Sequence, residues 1–396
     1  MDDIFKEHEA YVLSTYTRIP VIFTKGKGMT LVDVTGKKYL DFFPGWGVSN
    51  VGHCHPKVVA GVRDQIGRLI HIPNNLYHLH QVKLAKEIIR TSFPGKVFFC
   101  NSGTEACEAA IKLARAYGHP KERFEIITLL NSFHGRTLGS LAATGQTKYQ
   151  EAFGPLVPGF KAVPFNDIEA LREALTPQTV AIMMELVQGE GGVHVAEKEY
   201  VKEVRRLCDE NDILFVVDEV QTGMGRTGEM FAFKHYPVTP DVMLLAKSLG
   251  GGLPIGAMVV REAFCDVLKP GMHASTFGGS PLVCKAALGV FKALSREKML
   301  RNAKKMSGTA MERLAALKQK FNCIVDVRGV GLMIGIELNI EGKSVVDECF
   351  RQGLIINCTQ GSVLRLMPAL NVTRKQMNKA LGILENALDK VTTTGK

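Results

Sequence analysis

Five short apolar segments alternate with helical stretches over the first two thirds of the chain, and this order restricts the fold more than any other feature. One amphipathic helix, residues 198–211, separates the third and fourth segments and turns Val204 and Leu207 to one side. Strand–helix alternation predicts an α/β domain with a mainly parallel sheet, in which ligands bind at the carboxyl ends of the strands. The predicted strands are residues 96–100, 125–130, 180–185, 213–217 and 242–246.

The two ends of the chain follow a different pattern. The first fifty residues are short extended pieces, with a predicted hairpin over 28–33 and 38–43. Beyond residue 280 a long helical stretch, 281–320, leads to strands at 324–328 and 332–338 and a final helix at 373–391, which is typical of a smaller α+β lobe. We therefore expect an N-terminal segment (1–50) that packs with the small domain, a large domain (51–280) and a C-terminal small domain (281–396).

Charge and cysteine content argue against several classes of function. The formal net charge is +10, but Lys and Arg are spread along the chain, and their densest cluster, residues 301–305, has no interleaved aromatics. We therefore expect anionic small ligands and neither nucleic acid nor a membrane as partner. The nine cysteines contain no CxxC pair, and no second ligand set follows His53-Cys54-His55, so no metal site is expected. The N-terminal residues lack a signal-peptide pattern and no apolar run reaches bilayer length, which predicts a cytoplasmic protein.

Two charged residues come directly after apolar strands. Lys247 follows VMLLA, and Asp218 follows ILFVV. Singly, each has an ordinary explanation, a lysine that reaches the surface or a carboxylate that caps a helix. Together, at neighbouring strand ends, they favour a catalytic site, since a protected lysine can form a Schiff base and a carboxylate can keep a cofactor's ring nitrogen protonated.

Two strand-to-helix turns complete the predicted site. Ser102-Gly103-Thr104-Glu105 has capping-box spacing, which an ordinary helix start would also have, and its free N–H groups could hold a phosphate. In Phe133-His134-Gly135-Arg136 the phenyl ring could belong to the core or stack on a planar ring. In the second case Arg136 would be available to bind a carboxylate.

Eight segments together make the chain similar to the class III aminotransferases, which are pyridoxal-phosphate enzymes of fold type I. The nearest subfamilies are the acetylornithine and, next, the ornithine aminotransferases. The resemblance implies an α/β large domain with a mainly parallel seven-stranded sheet flanked by helices, and a smaller α+β domain built from the C-terminal part and the N-terminal segment. In chain order the segments are GHCHPKV, SGTEACEAAIKLAR, FHGRTLGSLAATG, ELVQGEGGV, VVDEVQTGMGRTG, LLAKSLGGGLPIGA, HASTFGGSPL and VRGVGLMIGIEL.

The resemblance also implies a set of cofactor contacts. Lys247 would carry pyridoxal 5'-phosphate as a Schiff base and then move a proton, which makes it the expected catalytic residue. Asp218 would pair with the pyridine nitrogen. The other expected contacts are Gln221 with the ring hydroxyl, Val220 and Phe133 with the two ring faces, Gly103 and Thr104 with the phosphate, and Thr276 of the partner subunit with the same phosphate. A homodimer with shared active sites would then be the minimal active unit.

The substrate-binding residues are implied in the same way. Arg136 would hold the distal carboxylate of an ω-amino substrate, Arg365 the α-carboxylate of 2-oxoglutarate, and Glu190 would mask Arg365 while the amine is bound. Ser275 is also expected to contact substrate. Trp46 offers one N–H donor and no acceptor, which favours an acetylated substrate over a free α-ammonium group. Packing at a domain or dimer interface explains Trp46 equally well.

The implied reaction transfers the terminal amino group of N2-acetyl-L-ornithine to 2-oxoglutarate by a ping-pong mechanism. The products would be N-acetyl-L-glutamate 5-semialdehyde and L-glutamate, as in arginine biosynthesis. Ornithine, succinylornithine and 4-aminobutyrate remain alternative amine donors. An aminomutase acting on glutamate semialdehyde is less favoured because of Arg136, Arg365 and Glu190, and a non-catalytic binding protein is less favoured because of Lys247 and Asp218.

Overall fold

Seven strands form the central sheet of the computed structural model, which describes residues 2–394. Six of these strands run in one direction and only Gly256–Arg261 runs in the opposite one, so the expected mainly parallel sheet is confirmed. The five predicted strands are present with small shifts at their ends, and Phe160–Val163 and Gly256–Arg261 were not predicted. Across the sheet the order is Gly95–Cys100, Gly256–Arg261, Val242–Leu245, Leu214–Asp218, Thr179–Met184, Glu125–Leu129 and Phe160–Val163.

Helices cover both faces of this sheet because both faces are apolar. Phe215 and Val217 face one core, whereas Leu214 and Val216 face the other, as the two-residue period of a strand requires. The predicted helix at 198–211 is confirmed, and it ends where Asp212 adopts a left-handed conformation. The helices of this region are Pro56–Ile66, Leu79–Thr91, Gly103–Gly118, Leu138–Ala143, Thr147–Gln150, Ile168–Ala174, Lys198–Asn211 and Pro281–Arg296.

Residues 299–394 contain a four-stranded antiparallel sheet and three α-helices, as expected of an α+β lobe. The prediction of one helical stretch over 281–320 was wrong in one respect. The stretch is two helices, because Lys298 has a φ of 53°, a left-handed conformation that cannot continue a right-handed helix. In sheet order the strands are Ile324–Val330, Met333–Leu338, Val363–Leu366 and Asn357–Thr359, and the helices are Met299–Lys320, Gly342–Arg351 and Arg374–Thr394.

The N-terminal segment forms a helix, Asp2–Tyr11, and three antiparallel strands, which include the predicted hairpin. The third strand pairs in parallel with Leu354–Ile355 of the C-terminal part. The three-part division proposed above stays a prediction. No helix within residues 2–394 is long and apolar enough to cross a membrane. The three strands are Phe23–Lys27, Thr30–Asp33 and Lys38–Asp41.

Candidate active site

A cavity of about 440 Å³ opens at the carboxyl ends of the central strands. Three neighbouring strands place charged side chains at this cavity. Glu185 follows Thr179–Met184, Asp218 ends Leu214–Asp218, and Lys247 follows Val242–Leu245. Because the strands are parallel, these groups share one edge of the sheet. Of the predicted residues, those that line the cavity are Gly103, Thr104, Phe133, Arg136, Glu190, Asp218, Val220, Gln221 and Lys247.

Lys247 is the only lysine among residues 2–394 that lines this cavity. Its backbone is left-handed, with a φ of 41°. Among the same residues, no acceptor lies within hydrogen-bonding distance of its Nζ. Burial lowers the pKa of the ammonium group, against the attraction of Glu190, Asp218 and Glu185. The lowered pKa increases the share of neutral amine, the form that attacks a carbonyl or takes up a proton.

The Asp218 carboxylate is held from two sides. Its Oδ1 accepts a hydrogen bond from the Val220 N–H at 2.9 Å, and its Oδ2 lies 2.8 Å from Nδ1 of His134. The His134 side chain is fully buried, and the separation requires that Nδ1 carry the proton. Burial acts to lower the pKa of His134, but Asp218 and Glu185 outweigh it and raise that pKa. His134 was not among the predicted site residues, and its position beside Phe133 was the only signal.

Glu185 is a second buried carboxylate that the sequence did not single out. Its Oε2 accepts a hydrogen bond from the Phe133 N–H at 3.0 Å, which fixes the turn that carries the predicted stacking ring. Burial raises the pKa of Glu185 to about 7, with partial opposition from His134. A carboxylate after an apolar strand is the signal that identified Asp218, and it would have identified Glu185 as well.

Replacing Glu185 by Gln is expected to make stability less dependent on pH. The folded-state pKa of about 7 lies above the ordinary value of 4.5, so folding requires proton uptake between these values. The contribution of Glu185 to the free energy of unfolding is therefore full below about pH 4.5 and is lost as the pH rises through about 7. Urea unfolding should find Glu185→Gln more stable relative to wild type at about pH 8 than at about pH 4.5. The exposed Glu173→Gln is the control, and equal pH dependence of wild type and Glu185→Gln would contradict the assignment.

The start of the helix Gly103–Gly118 faces the cavity. Ser102 Oγ accepts a hydrogen bond from the Glu105 N–H at 3.3 Å, so the predicted N-cap is present. A Cβ on Gly103 would lie 2.9 Å from Cγ1 of Val220, so only glycine allows this close approach. The hydroxyl of Thr104 accepts a hydrogen bond from the Arg136 N–H at 3.1 Å and joins the two predicted turns.

The predicted pair of Arg365 and Glu190 is present. Arg365 Nη1 donates to Glu190 Oε1 at 2.8 Å and Nη2 donates to Oε2 at 3.2 Å, which is a two-point ion pair. The Arg365 side chain is fully buried, and Nε also donates to Asn357 Oδ1 at 2.7 Å. Burial acts to raise the pKa of Glu190, but Arg365 outweighs it and lowers that pKa. Asn357 was not predicted.

Besides the buried Arg365, three predicted residues are not among those that line the cavity. Trp46 is half-exposed and stacks with Phe43 on Arg365, whose guanidinium carbon is 5.8 Å from the Trp46 ring and 4.8 Å from the Phe43 ring. Ser275 and Thr276 line a separate cavity of about 280 Å³. The expected roles of these three residues stay predictions.

A family model for class-III aminotransferases matches residues 11–388. Acetylornithine aminotransferase of Methanocaldococcus jannaschii is 51% identical over 388 residues, which covers 97% of this chain and 96% of the relative. Acetylornithine aminotransferase of Caldanaerobacter subterraneus subsp. tengcongensis is 49% identical over 385 residues, which covers 96% of this chain and 98% of the relative.

Solved structures with the same fold include ornithine aminotransferase from Toxoplasma gondii, with a TM-score of 0.95 and 34% identity over 99% of this chain and 96% of that chain. Acetylornithine aminotransferase from Elizabethkingia anophelis has a TM-score of 0.88 and 31% identity over 98% of this chain and 99% of that chain. The family match and the likeness of sequence and fold extend over almost the whole chain. The chain therefore belongs to the class-III aminotransferase family.

Proposed function

We propose that this protein uses pyridoxal 5'-phosphate to transfer the terminal amino group of N2-acetyl-L-ornithine to 2-oxoglutarate. The products are N-acetyl-L-glutamate 5-semialdehyde and L-glutamate, and the two substrates react in turn at one site. The names of the relatives that are 51% and 49% identical support the choice of amine donor.

The observation that carries the proposal is the contrast between the two arginines around the cavity. Arg365 is paired at two points with Glu190, whereas the Arg136 guanidinium has no carboxylate partner among the described residues. An amine donor with one distal carboxylate fits this state, because its carboxylate binds Arg136, and its amine end needs no second cation while Glu190 neutralises Arg365. An α-amino acid does not fit this state, because its α-carboxylate would have to bind Arg365, which is already paired with Glu190.

The residues present fit pyridoxal 5'-phosphate. Gln221 Oε1 is buried without a hydrogen-bond donor, as an acceptor for the ring hydroxyl would be. Gly103 keeps open the approach to the helix start, where free N–H groups would hold the phosphate. The Asp218 carboxylate would pair with a protonated pyridine nitrogen. Val220 and Phe133, which line the same cavity, would contact the two faces of the cofactor ring.

The chemistry divides between the cofactor and the chain. When bound, pyridoxal phosphate supplies an electron sink that stabilises the carbanion left when a proton departs from the carbon beside the nitrogen. Lys247 provides the neutral amine that holds and returns this proton, and such a base contributes ~10²–10⁴-fold. Asp218 supplies the negative charge that favours a protonated ring nitrogen, and His134 holds that carboxylate in place.

Glu190 lets one cavity accept two carboxylate arrangements. While it pairs with Arg365, the cation is neutralised and the amine donor binds. When it withdraws, the α-carboxylate of 2-oxoglutarate takes its place on Arg365 and the other carboxylate binds Arg136. Since both substrates occupy the same cavity, we expect parallel lines in double-reciprocal kinetics.

Replacing Glu190 by Ala is expected to reduce selection of the terminal amine of ornithine over its α-amine. Without the carboxylate, Arg365 is free to bind the ornithine α-carboxylate, which brings the α-amine to the reacting position. The loss of a charged hydrogen-bonding partner predicts a change of about 10- to 100-fold in the ratio of the two products. Product analysis by mass spectrometry measures this ratio. An unchanged ratio in a folded variant would show that the ion pair is only structural.

The proposal includes a homodimer with shared active sites. Ser275 and Thr276 lie outside the cavity of their own chain, and Asn74 Nδ2 donates to the Ser275 carbonyl at 2.9 Å. A surface concavity of about 1180 Å³ beside them is lined by exposed apolar side chains that include Tyr77 and Val82. Exposed apolar patches of this kind mark protein–protein interfaces.

Comparison of kcat/KM for four amines tests the proposed substrate. With 2-oxoglutarate as acceptor, N-acetylornithine is expected to exceed ornithine, N-succinylornithine and 4-aminobutyrate. A larger kcat/KM for any of the other three would assign the enzyme to that donor instead. Absence of transamination with all four would overturn the proposed function.

A further inference from the structure

The Arg136 side chain packs against two aromatic rings. Its guanidinium carbon lies 4.3 Å from the centre of the Tyr149 ring and 5.3 Å from that of Phe133. Among residues 2–394 no group accepts a hydrogen bond from its guanidinium. Stacking occupies the flat face of a guanidinium and leaves its N–H edge available for a carboxylate.

Tyr149 lies on a short segment, residues 146–150, that is hydrogen-bonded to the turn that carries Phe133. Gln146 Nε2 donates to the carbonyls of Asn131 and Ser132 at 3.2 and 3.0 Å. Gln150 Nε2 donates to the carbonyls of Leu141 and Thr144, at the end of the preceding helix, at 3.0 and 2.7 Å. The Tyr149 ring meets the Phe133 ring edge to face, with 5.8 Å between centres and an angle of 83°. The half-buried Tyr149 ring is thus a fixed surface rather than a mobile one.

We propose that Tyr149 is a positioning residue that aims the Arg136 guanidinium at the distal carboxylate of the substrate and so contributes to amine-donor specificity. The inference rests on the proposed function, because it requires Arg136 to bind that carboxylate. Tyr149 acts through Arg136 and is not among the residues that line the cavity with Lys247 and Asp218. Its hydroxyl makes no hydrogen bond with any described residue, so the ring carries the effect.

Steady-state kinetics of Tyr149→Leu and Tyr149→Phe test the role of the ring. Loss of a partly desolvated cation–π contact predicts a KM for N-acetylornithine about tenfold higher in Tyr149→Leu, with kcat within about twofold of wild type. Tyr149→Phe keeps the ring and should retain the wild-type KM. N-acetylputrescine, which has the same amine but no carboxylate, should show the same KM in all three proteins.

A binding measurement on the holoenzyme separates this inference from the proposed function. N-acetylnorvaline is N-acetylornithine without the reacting amine, and N-acetylnorvalinamide lacks the carboxylate charge as well. Calorimetry should find that wild type and Tyr149→Phe prefer the acid to the amide, and that Tyr149→Leu loses about tenfold of this preference. Suppose that wild type prefers the acid, and that Tyr149→Leu either has the same preference or loses affinity equally for both ligands. The inference about Tyr149 is then overturned, and the proposed function stands. If wild type has no preference and does not turn over N-acetylornithine, the proposed function fails with it.

Discussion

Replacing Lys247 by Ala is expected to lower kcat for transamination by about 10²- to 10⁴-fold. The change removes the only lysine that lines the cavity within the described residues, and with it the amine that moves the proton. Among residues 2–394, His134 is the other nitrogen base that lines the cavity, but its protonated Nδ1 is directed to Asp218 and its Nε2 is buried without a partner. Single-turnover measurements with N-acetylornithine give the loss directly.

Lys247→Arg is the matched control for charge. Arginine keeps a cation at this position but does not lose its proton in proteins, so it cannot serve as a base or nucleophile. Both variants should therefore be equally inactive while they keep the wild-type thermal unfolding temperature. Substantial activity in Lys247→Arg would contradict the assignment, because it would mean that only the positive charge is required.

Replacing Asp218 by Asn is expected to lower kcat/KM by about 10²- to 10⁴-fold. The substitution preserves shape and one acceptor oxygen but removes a buried negative charge, and the loss of one partner of a buried ion pair costs about 3–5 kcal/mol. We expect the affinity for pyridoxal phosphate to fall in parallel, because the ring nitrogen loses its counter-ion. Equilibrium dialysis measures that affinity independently of turnover.

Glu219→Gln is the neighbouring control. Glu219 is also buried, but its carboxylate accepts hydrogen bonds from the N–H groups of Ala232 and Phe233, at 2.9 and 2.8 Å, and it does not line the cavity. Its substitution should lower the unfolding temperature and leave the cofactor dissociation constant of the folded protein unchanged. A similar loss of cofactor affinity in both variants would indicate that Asp218 acts through general stability.

The sequence predicted the strands whose own apolar residues identify them. Phe160–Val163 was not predicted because it is a four-residue edge strand with partly exposed side chains. Its pairing with Glu125–Leu129 defines it as a strand. Gly256–Arg261 is apolar and buried, but its position between the preceding strand, Val242–Leu245, and the distant strand Gly95–Cys100 depends on tertiary contacts. The interruption between the helices Pro281–Arg296 and Met299–Lys320 was not predicted, because no glycine or proline lies near Lys298.

The same distinction applies to the site. Lys247 and Asp218 were predictable because a charge after an apolar strand is unusual and needs an explanation. Asn357 was not, since it meets Arg365 only through the register of the pairing between Asn357–Thr359 and Val363–Leu366. Tyr149 reaches Arg136 through a turn whose shape depends on side-chain hydrogen bonds from Gln146 and Gln150, and these have no sequence signature.

Chemical labelling tests most directly whether Lys247 carries the cofactor. Borohydride reduction of the holoenzyme, followed by peptide mass spectrometry, should find the phosphopyridoxyl mass on the peptide that contains Lys247. Lys247→Ala, treated in the same way, should show no label at this peptide. A label on a different lysine, or an active wild-type enzyme that takes up no label, would contradict the account.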